Sequence, residues 1–257
     1  MRLVSEIVIL CLVFGLEQLF PLFKGRKHRA RHALSNLAMG ALNGAASMLL
    51  FSSATIVVMS WAAANSFGLR YQWNLHPWLT SAIVFGLFDF WMYLWHRANH
   101  RLSFLWRFHR THHSDIELDC TTALRFHFGE IAFSSLLRLL VIPLIGVRYY
   151  ELLLYELILQ PIIIFHHSNV ALPEKIDRML RVFIVTPNMH RIHHSQIQVE
   201  TDSNYSSVFS LWDRLARTFK KRRDTSMIVY GLPYLREPGW QSLAGMLKTP
   251  FSNIVMK

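Results

Sequence analysis

Residues 33–64 read ALSNLAMGALNGAASMLLFSSATIVVMSWAAA, a stretch in which no side chain is charged. A surface helix of a soluble protein has one polar and one apolar face, whereas a membrane-spanning helix is apolar all round over about 20 residues. This stretch is too long and too uniformly apolar for a core helix of a soluble domain. It therefore predicts a helix inside a lipid bilayer.

Four further stretches of the chain have the same apolar character. They cover residues 7–23, 78–95, 131–145 and 149–165. With residues 33–64 they predict an all-α, integral-membrane helical bundle of four to five apolar helices, whose last two stretches form a full or a re-entrant hairpin. We expect N-terminal transmembrane helices in residues 1–77, a catalytic domain in residues 78–220 and a C-terminal cytoplasmic tail in residues 221–257.

The composition excludes several classes of protein. Hydrophobic residues make up 52% of the 257 residues and charged residues only 17%, which excludes an intrinsically disordered chain. The two cysteines, Cys11 and Cys120, are too few and too far apart for a disulfide scaffold or a thiolate zinc finger.

The net charge of +11 is unevenly distributed along the chain. Basic residues are concentrated in segments 24–32, 97–110 and 220–223, outside the apolar stretches. The positive-inside rule predicts that these segments are cytoplasmic, and contact with anionic lipid explains their charge without a nucleic-acid partner. The short N-terminus and the lack of an attached haem domain favour a multi-pass protein of a bacterial inner membrane.

The histidines occur in ordered motifs. One pair has the spacing HxxxH, two triplets have HxxHH, and a further pair is adjacent. These residues are His96 and His100; His109, His112 and His113; His190, His193 and His194; and His166 and His167. Positions i, i+3 and i+4 share one face of a helix. Imidazole is a good ligand for iron, zinc, copper and nickel, and the eight in the first three motifs exceed the roughly four that one zinc ion takes. The pattern predicts a cytoplasmic helical cap with a di-metal site.

The motifs and their flanking residues resemble the fatty acid hydroxylase and sterol desaturase superfamily, whose members are integral-membrane non-haem di-iron oxygenases. The resemblance covers about half of the chain, in the order expected for the histidine boxes of that superfamily. The segments that carry it are DFWMYLWHR at 89–97, WRFHRTHHS at 106–114, TALRFH at 122–127, FHHSN at 165–169, TPNMHRIHHS at 186–195, and DSNY at 202–205 with WDR at 212–214.

The resemblance implies two Fe²⁺ ions, O₂ as co-substrate, and an oxidoreductase that hydroxylates or desaturates a lipid in lipid metabolism or biosynthesis. The implied catalytic residues and metal ligands are His96, His100, His109, His112, His113, His190, His193 and His194. His167 and His127 are implied as further metal ligands. The segment at His127 reads His127-Phe128-Gly129-Glu130 and departs from the H-P-x-E form of the superfamily, because Phe128 stands in the place of proline.

The implied partners are a membrane lipid and an electron donor. Because the chain has no glycine-rich nucleotide loop and no cysteine set for a cluster, we expect electrons from a ferredoxin- or cytochrome-type protein with its reductase. Two alternatives use the same histidine cage: a zinc-dependent membrane enzyme, and a non-catalytic metal-binding membrane protein.

Acidic residues are candidates for orienting the imidazoles through their second ring nitrogen. The candidates are Asp89, Asp115, Glu117, Asp119, Asp202 and Asp213. Asp89 lies within an apolar stretch, where an acid is either functional or paired with a buried polar group such as a Trp N–H.

Overall fold

The computed structural model describes residues 2–25 and 28–253 of the chain. Its α-helices are α1 (Arg2–Leu19), α2 (Arg29–Ala64), α3 (Pro77–Arg101), α4 (Ser103–His113), α5 (Phe128–Ile145), α6 (Tyr149–His167), α7 (Glu174–Leu180), α8 (Pro187–His193), α9 (Gln198–Thr201), α10 (Leu211–Leu215) and α11 (Leu243–Lys248). The described residues contain no β-strand, only three isolated bridges. Part of the predicted basic segment, Arg26 and Lys27, and the last four residues of the predicted tail lie outside this description.

Three helices are long and apolar enough to cross a membrane: α2 with the turn that follows it, α3 and α5. Their outer faces carry exposed apolar side chains, such as Leu49 of α2 at 80% exposure and Leu140 of α5 at 60%. These helices confirm the predicted all-α membrane bundle. The helices α1 and α6 have 18 and 19 residues, and the total of four to five apolar helices stays a prediction.

The core of the bundle joins α2, α3, α5 and α6. Its buried side chains include Met59 of α2, Phe88 of α3, Ile142 of α5, and Tyr155 and Leu159 of α6. The rings of Phe88 and Tyr155 meet edge to face, with centroids 4.9 Å apart. Because these contacts are apolar and tightly packed, they fix the end of α3, which carries the first histidines of the site.

The α5–α6 hairpin extends through the full depth of the bundle. Its turn contacts the connection between α2 and α3, where Arg70 donates hydrogen bonds to Gly146 O (3.1 Å) and to Glu151 Oε2 (2.6 Å). The hairpin therefore reaches the end of the bundle opposite to the histidines, which favours a full hairpin over a re-entrant one.

Gly68 makes this contact possible, and we expect Gly68→Ala to destabilise the protein by at least about 2 kcal/mol. Gly68 has φ +114°, and a Cβ atom there would lie 2.4 Å from Pro143 O. Thermal unfolding in detergent micelles, followed by tryptophan fluorescence, measures the loss. Gly86→Ala is the matched control, since a Cβ atom on that residue of α3 meets nothing within 4 Å. Equal stability of the two variants would contradict the assigned contact.

The C-terminal segment packs against the helices that carry the histidines. Arg110 of α4 donates hydrogen bonds to Thr249 O (2.7 Å) and Ser252 O (3.0 Å), and Gln241 donates to Ser114 O (3.1 Å). Packing thus continues across the predicted boundary at residue 220. The predicted division into three domains stays a prediction.

Candidate metal centre

Four helices bring nine histidines together. The helix α3 contributes His96 and His100, α4 contributes His109, His112 and His113, α6 contributes His167, and α8 with the residue after it contributes His190, His193 and His194. All are buried except His96, which is partly exposed. The nine form two groups, in each of which the candidate ligand atoms lie within 4.8 Å of one another.

The five-histidine cluster consists of His96, His100, His109, His113 and His193. The ring of His96 donates through Nδ1 to Tyr205 O (2.8 Å), and that of His193 donates through Nδ1 to Ser203 O (2.7 Å). A carbonyl oxygen can only accept, so each of these rings carries its proton on Nδ1 and has a lone pair on Nε2. Within the described residues, neither Nε2 atom has a hydrogen-bond partner. Such rings are oriented to bind a cation.

The four-histidine cluster consists of His112, His167, His190 and His194. The Nε2 atom of His190 lies 2.9 Å from that of His167 and 3.1 Å from that of His194, and the Nε2 atoms of His167 and His112 are 3.1 Å apart. Two nitrogens that each lie about 2.1 Å from one ion, at a right angle, are about 3 Å apart. The convergence of four ring nitrogens therefore fits a shared metal ion.

Each HxxHH motif is divided between the two clusters. In α4, His109 and His113 belong to the five-histidine cluster and His112 to the other. In α8 the division is reversed, because His193 joins the five-histidine cluster while His190 and His194 join the four-histidine cluster. The two clusters are therefore neighbours, and the rings of His113 and His194 stack with centroids 4.6 Å apart.

The buried surroundings of the two clusters favour the neutral form of these imidazoles. Burial, followed by the neighbouring imidazoles, lowers the pKa of His112, His113 and His190 well below its usual range. The same causes lower the pKa of His193 and of His194. Neutral imidazole is the form that binds a metal, so the ligands need no deprotonation at neutral pH. The donor set and its unpartnered nitrogens fit the two metal ions that the sequence predicts.

Two histidines of the predicted motifs lie outside both clusters. His127 caps the start of α5: its Nδ1 accepts from Gly129 N (2.9 Å), and its Nε2 lies 3.3 Å from Leu247 O. The structure thus does not bring His127 to a metal position, since both ring nitrogens face the backbone. His166 packs beside the four-histidine cluster, with its ring centroid 4.1 Å from that of His190.

The candidate acids have different positions relative to the site. Asp89 accepts from Tyr155 Oη (2.9 Å), Phe209 N (3.0 Å) and Trp212 Nε1 (2.7 Å), so it joins α3 to α6 and to the start of α10. Asp202 Oδ1 lies 3.6 Å from His100 Nδ1.

Asp213 supports the site through the backbone. Its carboxylate accepts from Tyr205 N (2.8 Å) and Ser206 N (2.9 Å). It thereby fixes the loop whose carbonyl oxygens orient His96 and His193.

Two buried residues near the clusters are not among the sequence-predicted site residues. Glu130 Oε1 accepts from His109 Nδ1 at 2.9 Å. His32 of α2 lies between two acids, with its Nε2 2.8 Å from Asp115 Oδ1 and its Nδ1 3.2 Å from Asp119 Oδ2. Burial alone would raise the pKa of Asp115, but His32 and then Arg125 hold it well below its usual range. The spacing of His32, Asn36 and Asn43 could have indicated that His32 is buried against the site. These polar residues lie on one face of a largely apolar helix.

The fold and the two clusters together define a helical membrane protein with two adjacent histidine clusters, each of which could hold a metal ion. Comparison with known sequences identifies the family. The fatty acid hydroxylase family matches residues 81–218, more than half of the chain. The chain belongs to the fatty acid hydroxylase family. This confirms the resemblance drawn from the histidine motifs.

Several characterised relatives are similar to the chain. Human alkylglycerol monooxygenase is 29% identical over 80% of this chain and 44% of its own length. The ornithine lipid hydroxylase OlsE of Rhizobium tropici is 29% identical over 79% of this chain and 62% of its own length. A cholesterol 25-hydroxylase-like protein of Danio rerio is 27% identical over 58% of this chain. The chain thus spans about half the length of the first two relatives. No solved structure matches it. Monooxygenases and hydroxylases are oxidoreductases, the enzyme class that the sequence predicts.

Proposed function

We propose that the chain is a membrane-bound di-iron oxidoreductase that hydroxylates a membrane lipid with O₂ and externally supplied electrons. The observation that carries this proposal is the convergence of nine histidines into two adjacent, buried clusters at the end of a membrane helix. The proposed metal ligands and catalytic residues are His96, His100, His109, His113 and His193 for one Fe²⁺ ion and His112, His167, His190 and His194 for the other.

Iron is the metal that suits the family chemistry. When bound, two Fe²⁺ ions would supply the redox chemistry with O₂ that an unactivated C–H bond requires, whereas zinc has none. In the net reaction, one oxygen atom enters a C–H bond and the other leaves as water, with two electrons and two protons from outside. Desaturation, which removes two hydrogens instead, is the alternative outcome.

In this reaction the protein orients the imidazole ligands and excludes bulk water from them. Backbone carbonyls fix the tautomers of His96 and His193, and burial excludes bulk water from eight of the nine rings. His96, the partly exposed one, follows the segment of α3 that packs in the apolar core of the bundle, which includes Phe88 and Met92. A lipid that enters along α3 would therefore meet the five-histidine cluster first.

The proposed partners are a membrane lipid and an acidic electron-donor protein of the ferredoxin or cytochrome type. The names of the relatives support a lipid substrate, since two of them are a lipid hydroxylase and an alkylglycerol monooxygenase. Basic residues support an acidic donor: Lys220, Lys221 and Arg223 border a cleft that is also lined by the buried residues Met189 and Ile192 of α8. These two residues directly precede the proposed ligands His190 and His193 in the chain.

We place the protein in a bacterial inner membrane with the histidine site on the cytoplasmic side. The basic segments around the site support this orientation by the positive-inside rule.

The decisive experiment combines metal analysis with lipid analysis. The protein, purified after expression in an iron-replete host, is expected to hold two irons per chain. Lipids from cells with and without the gene, grown under isotopically labelled O₂, are expected to differ by a hydroxylated lipid that carries the label. Tightly held zinc without O₂ consumption would contradict the proposal and support the zinc-dependent alternative, and an unlabelled new double bond would identify a desaturase.

A further inference from the structure

A buried carboxylate distinguishes the surroundings of the two clusters. Glu130, in the first turn of α5, is only 4% exposed. Its Oε1 accepts from His109 Nδ1 (2.9 Å) and from Asn99 Nδ2 (3.3 Å), and Asn99 lies in α3 between His96 and His100. Glu130 is thus bound to two of the helices that form the five-histidine cluster.

The four-histidine cluster has a different outer environment. His167 Nδ1 lies 2.8 Å from Ile163 O, a neutral backbone acceptor. Within the described residues, the Nδ1 atoms of His112, His190 and His194 have no hydrogen-bond partner. The charges of Asp115 and Asp119 do act on His167 of this cluster, and that of Asp115 also acts on His194. Both carboxylates, however, contact His32 instead of a ring of the cluster, and Asp115 also accepts from Thr122 Oγ1 (2.7 Å).

This difference has a direct effect on metal binding. A carboxylate that accepts from one ring nitrogen makes the other nitrogen a stronger ligand and fixes the direction of the ring. A buried negative charge close to the ligands also stabilises a bound cation more strongly than one in water does. Both effects act on the five-histidine cluster, to which Asp202 adds a second carboxylate 3.6 Å from His100 Nδ1.

We propose that Glu130 is a positioning residue that makes the five-histidine cluster the tighter of two inequivalent metal positions. The inference rests on the proposed function in one respect only, namely that both clusters bind metal. Glu130 acts through His109: it fixes the ring and strengthens its Nε2 as a ligand. The four-histidine cluster, whose rings have no carboxylate acceptor among the described residues, is the position that loses its metal first.

The test follows the loss of iron from the intact protein. The wild-type protein, loaded with ⁵⁷Fe and dialysed against EDTA, is expected to lose one iron quickly and one slowly, and its Mössbauer spectrum to contain two distinct doublets. Glu130→Gln is expected to accelerate the slow phase about 10–100-fold, the range typical of outer carboxylates, and to change one doublet only. Glu130→Asp is expected to restore part of the slow phase.

The assignment of the phases and the controls use further variants. His190→Ala, which lacks a ligand of the four-histidine cluster, is expected to lack the fast phase. Glu156→Gln is the matched control, because Glu156 of α6 lies 3.9 Å from Arg138 and belongs to neither histidine cluster. Thermal unfolding of each variant separates altered metal binding from altered folding.

Three results would overturn the inference. One is a single phase of iron loss in the wild-type protein, and another is a slow phase that Glu130→Gln leaves unchanged. These two results, obtained with two irons per chain, leave the proposed function intact. The third is a wild-type protein without bound iron, which would overturn the inference and the proposed function together. The wild-type kinetics test the inference even if Glu130→Gln does not fold.

Discussion

Replacement of His193 by alanine is expected to abolish lipid oxidation and to release the iron of the five-histidine cluster. His193 is fully buried, its Nδ1 donates to Ser203 O, and its Nε2 faces the other rings of the cluster. Because it is a proposed ligand itself, the loss of activity should exceed the 10–100-fold that is typical of residues outside the ligand set, so we expect more than about 100-fold. Iron per chain and product formation are measured on the same preparation.

His127→Asn is the matched control for this experiment. Asparagine retains a side-chain acceptor for Gly129 N, so the cap of α5 is preserved and helix stability changes little. Both irons and most of the activity are expected to remain. Loss of an iron in His127→Asn, with retention in His193→Ala, would contradict the cluster assignment and restore the ligand role that the family resemblance implied for His127.

Replacement of Arg125 by methionine is expected to destabilise the protein by at least about 3 kcal/mol, because it leaves three acceptors without their donor and each buried unpaired acceptor costs about 1–3 kcal/mol. Arg125 is fully buried. Its guanidinium donates to Thr111 O (3.1 Å), Ser114 Oγ (3.0 Å) and Gln241 Oε1 (2.9 Å). The change would leave the carboxylate of Asp115 without one of its two stabilising cations.

Denaturant titration in detergent micelles measures this loss. Arg138→Met is the comparison, because the guanidinium of Arg138 is partly exposed and lies 3.9 Å from Glu156, so its removal should cost less than about 1 kcal/mol. We also expect Arg125→Met to weaken metal binding, since Arg125 holds the end of α4 that carries His112 and His113. A loss below 1 kcal/mol in Arg125→Met would show that the network is not needed for the fold.

The membrane helices were predictable because their signal is local. The apolar residues 33–64 lie within α2, and residues 131–145 lie within α5. The starts of the helices were harder to predict. The apolar stretch begins at residue 33 but α2 begins at Arg29, because the first turn of α2 carries polar side chains such as His32, which contacts Asp115. Apolar content marks the part of a helix that contacts lipid, and not the turns that extend beyond it.

The histidines of the candidate metal centre were predictable as a set, but their division between two clusters was not. Helical spacing places His109, His112 and His113 on one side of α4. Which of them meets His193 and which meets His190 depends on the relative orientation of α4 and α8, whose histidines are about 80 residues apart in the chain. For the same reason the contact between Glu130 and His109 could not be predicted, and the family motif alone could not distinguish a helix cap from a ligand at His127.

The division of the histidines of α4 and α8 between the two clusters has a consequence for the distance between the clusters. Adjacent residues serve different clusters, His112 and His113 in α4 and His193 and His194 around the end of α8. The spacing between the two metal positions is therefore set by single peptide units, which are rigid. Helices in a bilayer tilt when its thickness changes. We expect the distance between the two clusters to change little with lipid chain length, because these two dipeptides connect the clusters directly.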